Sequence, residues 1–257
     1  MIFDTHAHYD NAAFDEDRDE LLMSLLAAGI GRVVNVGASI ESTKRTVKLT
    51  EEYPFIYGAA GVHPSESGEM TEEDIAWLEG LTRREKVVAV GEIGLDYYWK
   101  EPEISIQKHW FVRQLDLARR TKTPVIIHSR DAAKDTLDIM KAEKAGDVGG
   151  VIHCFSYSRE MAREYLNMGF FLGIGGVSTF QNARHLKEVI AYAPLERLVL
   201  ETDCPYLAPV PYRGKRNCSL YLPLIVRAVA EIKGIEAEDV ERQTWENGER
   251  LFGFCQS

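Results

Sequence analysis

The sequence predicts an α/β fold, a (β/α)8 TIM barrel that takes in residues 1–257 as one domain. Three observations carry this expectation. Short β-rich runs recur along the whole length, alternating with stretches of helical periodicity. Eight such runs can be placed, and right-handed crossovers between near-continuous apolar strands close eight of them naturally into a barrel. No Pro/Ser-rich linker, charge block or low-complexity segment divides the series. The doubly wound alternative usually has fewer strands and often a glycine-rich phosphate turn after the first; here that turn carries Asp4-Thr5-His6-Ala7-His8.

In chain order the strands are expected near residues 2–4, 32–36, 55–61, 87–91, 124–128, 150–153, 170–174 and 198–202. Amphipathic helices are expected over 15–28, 71–84, 104–121, 132–145, 159–168 and 183–192, the first with acids at its start as a helix N-terminus prefers. Residues 220–233 and 239–251 supply a last helix and a C-terminal cap.

Bulk composition narrows the function. A 45% hydrophobic and 27% charged chain is ordinary for a soluble enzyme, and a net charge of -10 argues against a broad basic face gripping nucleic acid. Any anionic ligand must therefore be held locally. Cys154, Cys204, Cys218 and Cys255 show no zinc-ribbon spacing, and no leader of a secreted protein opens the sequence, so reduced thiols in a cytoplasm are expected. No apolar run reaches membrane-spanning length.

A barrel of this kind builds its site at the C-terminal ends of the strands, and chemically capable residues fall there. His6 and His8 end the first strand, where i and i+2 side chains point to the same side and both imidazoles converge. His63 follows strand 3, Glu92 follows residues 87–91, His128 ends strand 5, His153 ends strand 6, and Glu201 with Asp203 ends strand 8. Singly, each has a plain structural reading: a core histidine satisfied by a carbonyl, a turn acid, a helix cap. Jointly these fare badly, because several buried charged or imidazole groups on one face need a partner and a metal ion is the economical one. His109 and His185 lie in helical stretches and are assigned no role.

Four histidines plus Glu92 and Asp203 exceed what one open catalytic ion requires, so two divalent ions are expected, zinc, manganese or magnesium by ligand type. Glu92 is the natural bridge, since no lysine stands at any expected strand end. Such a pair can hold a bridging hydroxide and clamp the oxygens of a phosphoryl centre. Its charge exceeds that of the two carboxylates, which welcomes an anion despite the acidic whole. Arg130, Arg213, Lys215 and Arg216 are placed near the expected mouth as substrate contacts, with a solvated loop charge run as the rival reading.

The assembled motifs resemble the TatD family of metal-dependent deoxyribonucleases, within the amidohydrolase-like TIM barrels. The likeness covers essentially the whole chain: Phe3-Asp4-Thr5-His6-Ala7-His8, Gly61-Val62-His63-Pro64, Gly91-Glu92-Ile93-Gly94-Leu95-Asp96-Tyr97, Ile127-His128-Ser129-Arg130, His153-Cys154-Phe155-Ser156 and Leu200-Glu201-Thr202-Asp203-Cys204-Pro205-Tyr206-Leu207. The resemblance implies one metal held by His6, His8, Glu92 and Asp203 and a second by Glu92, His128 and His153. It also implies that His63 meets the substrate phosphate or leaving oxygen and that Glu201 sits beside the ions as a second acid or ligand. The family's Arg-Gly-Lys-x-Asn stretch is present at Arg213-Gly214-Lys215-Arg216-Asn217, but Ser219 stands where a proline commonly follows.

The leading expectation is hydrolysis of DNA phosphodiesters at single strands or chain ends, with Asp203 or Glu201 accepting the proton of the attacking hydroxide. An ester or amide hydrolase, such as an aminoacyl-tRNA deacylase or a cyclic amidohydrolase, is the rival from the same metal chemistry, and fold alone does not separate them. A non-catalytic metal binder is the third reading. No obligate protein partner and no membrane are implied.

Overall fold

A computed structural model of the chain describes residues 1–99 and 101–254. Eight parallel strands pair in sequence order, each with its neighbour in the chain: β1 (Ile2–Ala7), β2 (Ile30–Val36), β3 (Ile56–Ala60), β4 (Val87–Asp96), β5 (Val125–Arg130), β6 (Gly150–Ile152), β7 (Phe171–Ile174) and β8 (Leu198–Leu200). The barrel closes where β1 meets the segment after β8: the Asp203 N–H donates to the His6 carbonyl at 2.9 Å and the His8 N–H to the Cys204 carbonyl at 2.8 Å. The TIM-barrel expectation is met.

Between the strands run α1 (Arg18–Leu25), α2 (Ile40–Glu52), α3 (Glu72–Leu81), α4 (Ile104–Thr121), α5 (Ala133–Ala142), α6 (Arg159–Asn167) and α7 (Arg184–Tyr192); α8 (Leu222–Lys233) and α9 (Ala237–Leu251) follow β8. Their ends carry recognisable signals. Thr71 and Asp74 form a reciprocal capping box at the start of α3, and Ser39 and Ser158 cap α2 and α6 by accepting backbone N–H groups. Gly234 ends α8 at φ 67, a left-handed turn that glycine adopts at little cost.

Two differences from the expected elements bear on the site. Periodicity does not pick out α2, because its buried face is built from Ser42, Thr43, Thr46, Val47, Leu49 and Thr50, residues that a count of apolar positions passes over. Strand β4 runs to Asp96 rather than stopping at residue 91, so Glu92 lies inside the strand. Its later half carries the buried acids Glu92 and Asp96 among apolar residues, and it stays in the sheet because Gly94 pairs with His128 and Asp96 with Arg130 on β5. Gly94, at φ 147, lies so near that strand that a β-carbon would stand 1.9 Å from the His128 carbonyl oxygen.

The barrel interior is filled in layers. Phe3, Val34, Ala59, Ala89, Ile126, Val151, Phe171 and Val199 form one apolar cluster with Leu251 and Phe252 from the end of α9, which plug its floor. Two residues further along β5, β6 and β8, on the same face by the period-two rule, stand His128, His153 and Glu201. A larger cluster fills the layer between the strands and the surrounding helices. Among the described residues no helix is long and apolar enough to cross a membrane. Cys154, Cys204 and Cys218 are free thiols, and Cys255 lies outside the described residues.

Candidate metal centre

The side chains at the C-terminal ends of the strands converge into two adjoining sets of ligand atoms that meet at Glu92. In the first set, His6 Nε2 lies 3.1 Å from His8 Nε2, 3.5 Å from Glu92 Oε2 and 3.7 Å from Asp203 Oδ1, and His8 Nε2 lies 3.4 Å from the same Asp203 oxygen. In the second, Glu92 Oε1 lies 2.8 Å from His128 Nδ1 and 2.7 Å from His153 Nε2, which are 3.2 Å from each other. Glu92 thus gives one oxygen to each set, and its carboxylate is 3% exposed.

These spacings are what a metal site requires. Ligands about 2.1 Å from one ion stand about 3.0–3.4 Å apart in tetrahedral or octahedral arrangement, close to the values above. The ring nitrogens are also prepared for it. His8 donates its Nδ1 hydrogen to the Val36 carbonyl at 2.8 Å, and His128 donates its Nε2 hydrogen to Asp96 Oδ2 at 2.9 Å, so each turns the other nitrogen's lone pair to the centre. Three of the buried polar atoms without a partner, His6 Nδ1, His153 Nδ1 and Glu201 Oε2, belong to this same cluster. Nitrogen and oxygen donors in this mixture fit borderline or hard divalent cations.

Electrostatics without an ion follow from the crowding. Burial pushes the Glu92 carboxyl upward, but the charge on His153 and the bonds from His128, His153 and His6 outweigh it and hold it well below the usual range. Asp203 is likewise raised by burial and brought below its ordinary value by the His8 bond and the neighbouring imidazoles. Burial lowers His8 and His153 too, yet the carboxylates around them reverse this and bring them to about 9 and about 10. His6 falls to about 4 through burial and the charge of His153, whose ring stacks on it with centroids 4.0 Å apart.

The expected site residues separate by depth. Asp203, His8, His63, Glu92, His128, His153 and Arg130 line one cavity of about 660 Å³. His63 accepts the Ser65 N–H at Nδ1, 3.1 Å away, so its proton is on Nε2; burial and the His128 charge lower it to about 3, which keeps it neutral. Glu201 does not reach the cavity. It is fully buried in the barrel behind the stacked His6 and His153 rings, accepts the Cys154 N–H, lies 3.8 Å from His153 Nδ1, and is pushed up to about 8 by burial. Gly173 on β7 leaves the room for it: a β-carbon there would stand 2.3 Å from Glu201 Oε2.

Arg213, Lys215 and Arg216 are not brought to the cavity. Arg216 pairs with Asp17 and the Ala13 carbonyl and packs over Phe14, Arg213 lies over the Phe180 ring, and Lys215 is exposed on the same loop. Ser219 is held on the inside. Its hydroxyl donates to Asp4 Oδ2 at 2.6 Å and its N–H to the Tyr9 hydroxyl at 2.9 Å, a bond that proline at this position lacks the hydrogen to make.

Several residues of the site are not marked as candidates by sequence. Asp96 is held in the quoted motif without a role, and its function depends on facing His128 across the β4–β5 register. Arg45 and Ser42 line the cavity from α2, the helix that periodicity passes over, and Ser42 donates to Asp10 Oδ2 at 2.6 Å while Asn35 donates to Asp10 Oδ1. Trp99 and Tyr206 stand at the cavity edge, and only the exposure of such large side chains singles them out.

Comparisons with known proteins identify the family and the fold. The profile of the family described as TatD related DNase matches residues 3–253. The chain is 46% identical to the uncharacterized metal-dependent hydrolase YabD of Bacillus subtilis, over 98% of this chain and 99% of that protein. It is 34% identical to the 3'-5' ssDNA/RNA exonuclease TatD of Cronobacter sakazakii, over 98% of this chain and 97% of the relative. Among solved structures, YjjV, a TatD homologue from Escherichia coli K12, superposes with a TM-score of 0.92 at 31% identity, covering 98% of both chains. With a barrel whose strand ends gather these ligands and with relatives matched end to end, the chain belongs to the TatD-related DNase family of metal-dependent hydrolases.

Proposed function

We propose that the chain is a deoxyribonuclease that uses two divalent ions to cleave phosphodiesters at single strands or ends of DNA. The observation that carries this is Glu92, whose two carboxylate oxygens address two separate sets of imidazoles at the floor of one open cavity. His6, His8, Glu92 and Asp203 hold one ion, and Glu92, His128 and His153 the other. When bound, the pair supplies Lewis acidity, making water nucleophilic at neutral pH and neutralising phosphoryl oxygens.

The chain's own groups do the rest. Asp203 faces the cavity in its ionised form and accepts the proton of the attacking water. The Nε2 hydrogen of neutral His63 donates to a phosphoryl or leaving oxygen. Arg130 and Arg45 receive flanking phosphates at the cavity wall. Glu201, behind two of the imidazoles, is a positioning residue: its carboxylate lies 3.8 Å from His153 Nδ1, and a small movement on metal loading would let it accept that hydrogen and fix the tautomer that ligation needs. Asp96 does the same for His128. The name of the Cronobacter relative, an ssDNA/RNA exonuclease, supports a nucleic-acid substrate.

End-labelled single- and double-stranded DNA, incubated with zinc, manganese or magnesium in turn beside a carboxyl-ester reporter, tests the reading. Metal-dependent cleavage of single-stranded DNA is expected. Ester hydrolysis with every DNA left intact would replace it with the acyl-hydrolase alternative.

A further inference from the structure

The rim of the cavity carries two large aromatic side chains that the metal chemistry does not use. Trp99 is 52% exposed and Tyr206 is 54% exposed, and both line the cavity that contains Glu92 and Asp203. Single exposed aromatics are common on protein surfaces and need no account. Two on one catalytic rim, on opposite sides of it, do need one.

Their placement follows from the fold. Trp99 comes three residues after the end of β4 and Tyr206 six after the end of β8, and in a barrel whose strands run in order from β1 to β8 those two strands are diametrically opposed. Each aromatic belongs to one half of the ligand cluster. The Tyr206 ring stands edge-on to His8 at 6.5 Å, in the first set, and its hydroxyl accepts a hydrogen bond from Asn11 Nδ2 at 3.2 Å. Trp99 follows Asp96, the partner of His128 in the second set, and meets Tyr98 edge-on at 5.0 Å. The Arg130 guanidinium lies 3.8 Å over the Tyr98 ring, so a cation is held beside Trp99. Arg45 lines the same cavity from α2, 3.9 Å from Asp10 Oδ2.

We propose that Trp99 and Tyr206 are two stacking platforms for unpaired nucleobases, one on each side of the scissile phosphodiester, with Tyr206 serving the side at His8 and Trp99 the side at His128. This rests on the nuclease reading and deepens it. Aromatic faces stack on any base that has left its neighbours, whereas a duplex base is already stacked and paired and must first be pulled out. The paired platforms therefore select single strands by what the base costs to expose, and they are indifferent to which base it is. Arg45 and Arg130, both lining the cavity, add attraction for the backbone.

The test uses the metal-loaded enzyme and four single-stranded DNAs of one sequence: intact, abasic at the position 5' of the cleaved linkage, abasic 3' of it, and abasic at both. The intact enzyme is expected to lose roughly 5- to 160-fold in kcat/KM for each missing base, the range typical of base–aromatic stacking. Tyr206→Ala is expected to lose as much on intact DNA and to be insensitive to one of the two abasic positions; Trp99→Ala is expected to be insensitive to the other. Trp99→Phe and Tyr206→Phe, which keep a ring, restore most of the loss.

A second readout does not depend on turnover. Of the four tryptophans Trp99 alone is exposed, Trp110 being buried and Trp77 and Trp245 partly so, and its fluorescence is expected to be quenched by a phosphorothioate-linked thymidine oligomer. That quench should vanish in Trp99→Phe. Equal losses of each alanine variant on intact and abasic DNA, or an unchanged quench in Trp99→Phe, overturn the platforms while leaving the nuclease standing. Failure of every DNA to be cut with every metal removes the nuclease reading, and the quench titration still decides whether Trp99 stacks on bases.

Discussion

Replacing Glu201 by glutamine should weaken metal binding without harming the metal-free protein. With ions bound, His6 and His153 present the Nε2 atoms that face Glu92 at 3.5 and 2.7 Å, which puts both ring protons on Nδ1. Those two Nδ1 atoms and Glu201 Oε2 are among the buried atoms left without partners, and Glu201 Oε1 is 3.8 Å from His153 Nδ1. A movement of about 1 Å makes a charge-assisted bond of ordinary length there. Carboxylates in this position are worth about 10- to 100-fold in metal affinity, or about 1.4–2.7 kcal/mol. Glutamine keeps the volume and the bond from the Cys154 N–H but offers a neutral acceptor. Because burial already raises the Glu201 carboxyl to about 8, the metal-free protein holds it protonated near neutral pH and should melt unchanged as glutamine. Competition against a chromophoric chelator, beside melts with and without metal, reads both effects. Unchanged metal affinity with lost turnover would refute positioning and return Glu201 to acid–base chemistry.

Other outcomes follow from the same geometry. Asp96→Ala, which leaves His128 Nε2 without its acceptor, should cost roughly 10-fold or more in affinity for the second ion, read in the same competition; equal affinity would exclude the contact from ligand orientation. The metal-free values of about 9 for His8 and about 10 for His153 lie above the ordinary 6.5, so their stabilisation is complete below pH 6.5 and lost as pH rises through 9 to 10. Ligation needs neutral imidazoles, so loading near neutral pH should expel at least the two protons of His8 and His153 and tighten as pH rises; calorimetry in buffers of different ionisation enthalpy counts them, and no release would sink the argument. Ser219→Pro, which places the family's common residue here, removes the bonds to Asp4 and Tyr9 and should cost about 2–5 kcal/mol, roughly 4–10 °C in melting temperature. An equal or higher melting temperature would count against it.

Much of the barrel is legible in the sequence because parallel strands are buried on both faces and read as apolar runs. The exceptions have physical reasons. The second half of β4 holds two buried acids, Glu92 and Asp96, that are paired with histidines rather than solvated, and α2 turns threonines to the core. The ligands are legible because strand ends are fixed by the same pattern that fixes strands. Depth and direction are less so. Glu201 and Asp203 are two residues apart, yet one is sealed in the barrel and the other borders the cavity, a distinction set by the turn after β8, where Asp203 adopts φ 54. The charge run at Arg213, Lys215 and Arg216 follows a strand end but folds outward, Arg216 onto Phe14 and Asp17 ahead of α1 and Arg213 onto Phe180, and position in sequence carries no direction.

The charges around the cavity explain how an acidic protein can hold a polyanion. Asp10, Glu66, Glu92, Asp96 and Asp203 line it, against Arg45 and Arg130, which leaves a surplus of three negative charges with the histidines neutral. Protons on His8, His153 and His128 reduce that surplus in the metal-free protein without reversing it. Two divalent ions contribute four positive charges, release those protons, and turn the cavity net positive. On this account the sign of the site belongs to the metals and the arginines only direct the strand. Stripping the ions should therefore abolish binding of single-stranded DNA, beyond blocking its cleavage, and fluorescence anisotropy with a labelled oligonucleotide in chelator measures it. Undiminished binding without metal would mean that the rim aromatics and arginines alone hold the strand, and that the acidic floor is screened from it.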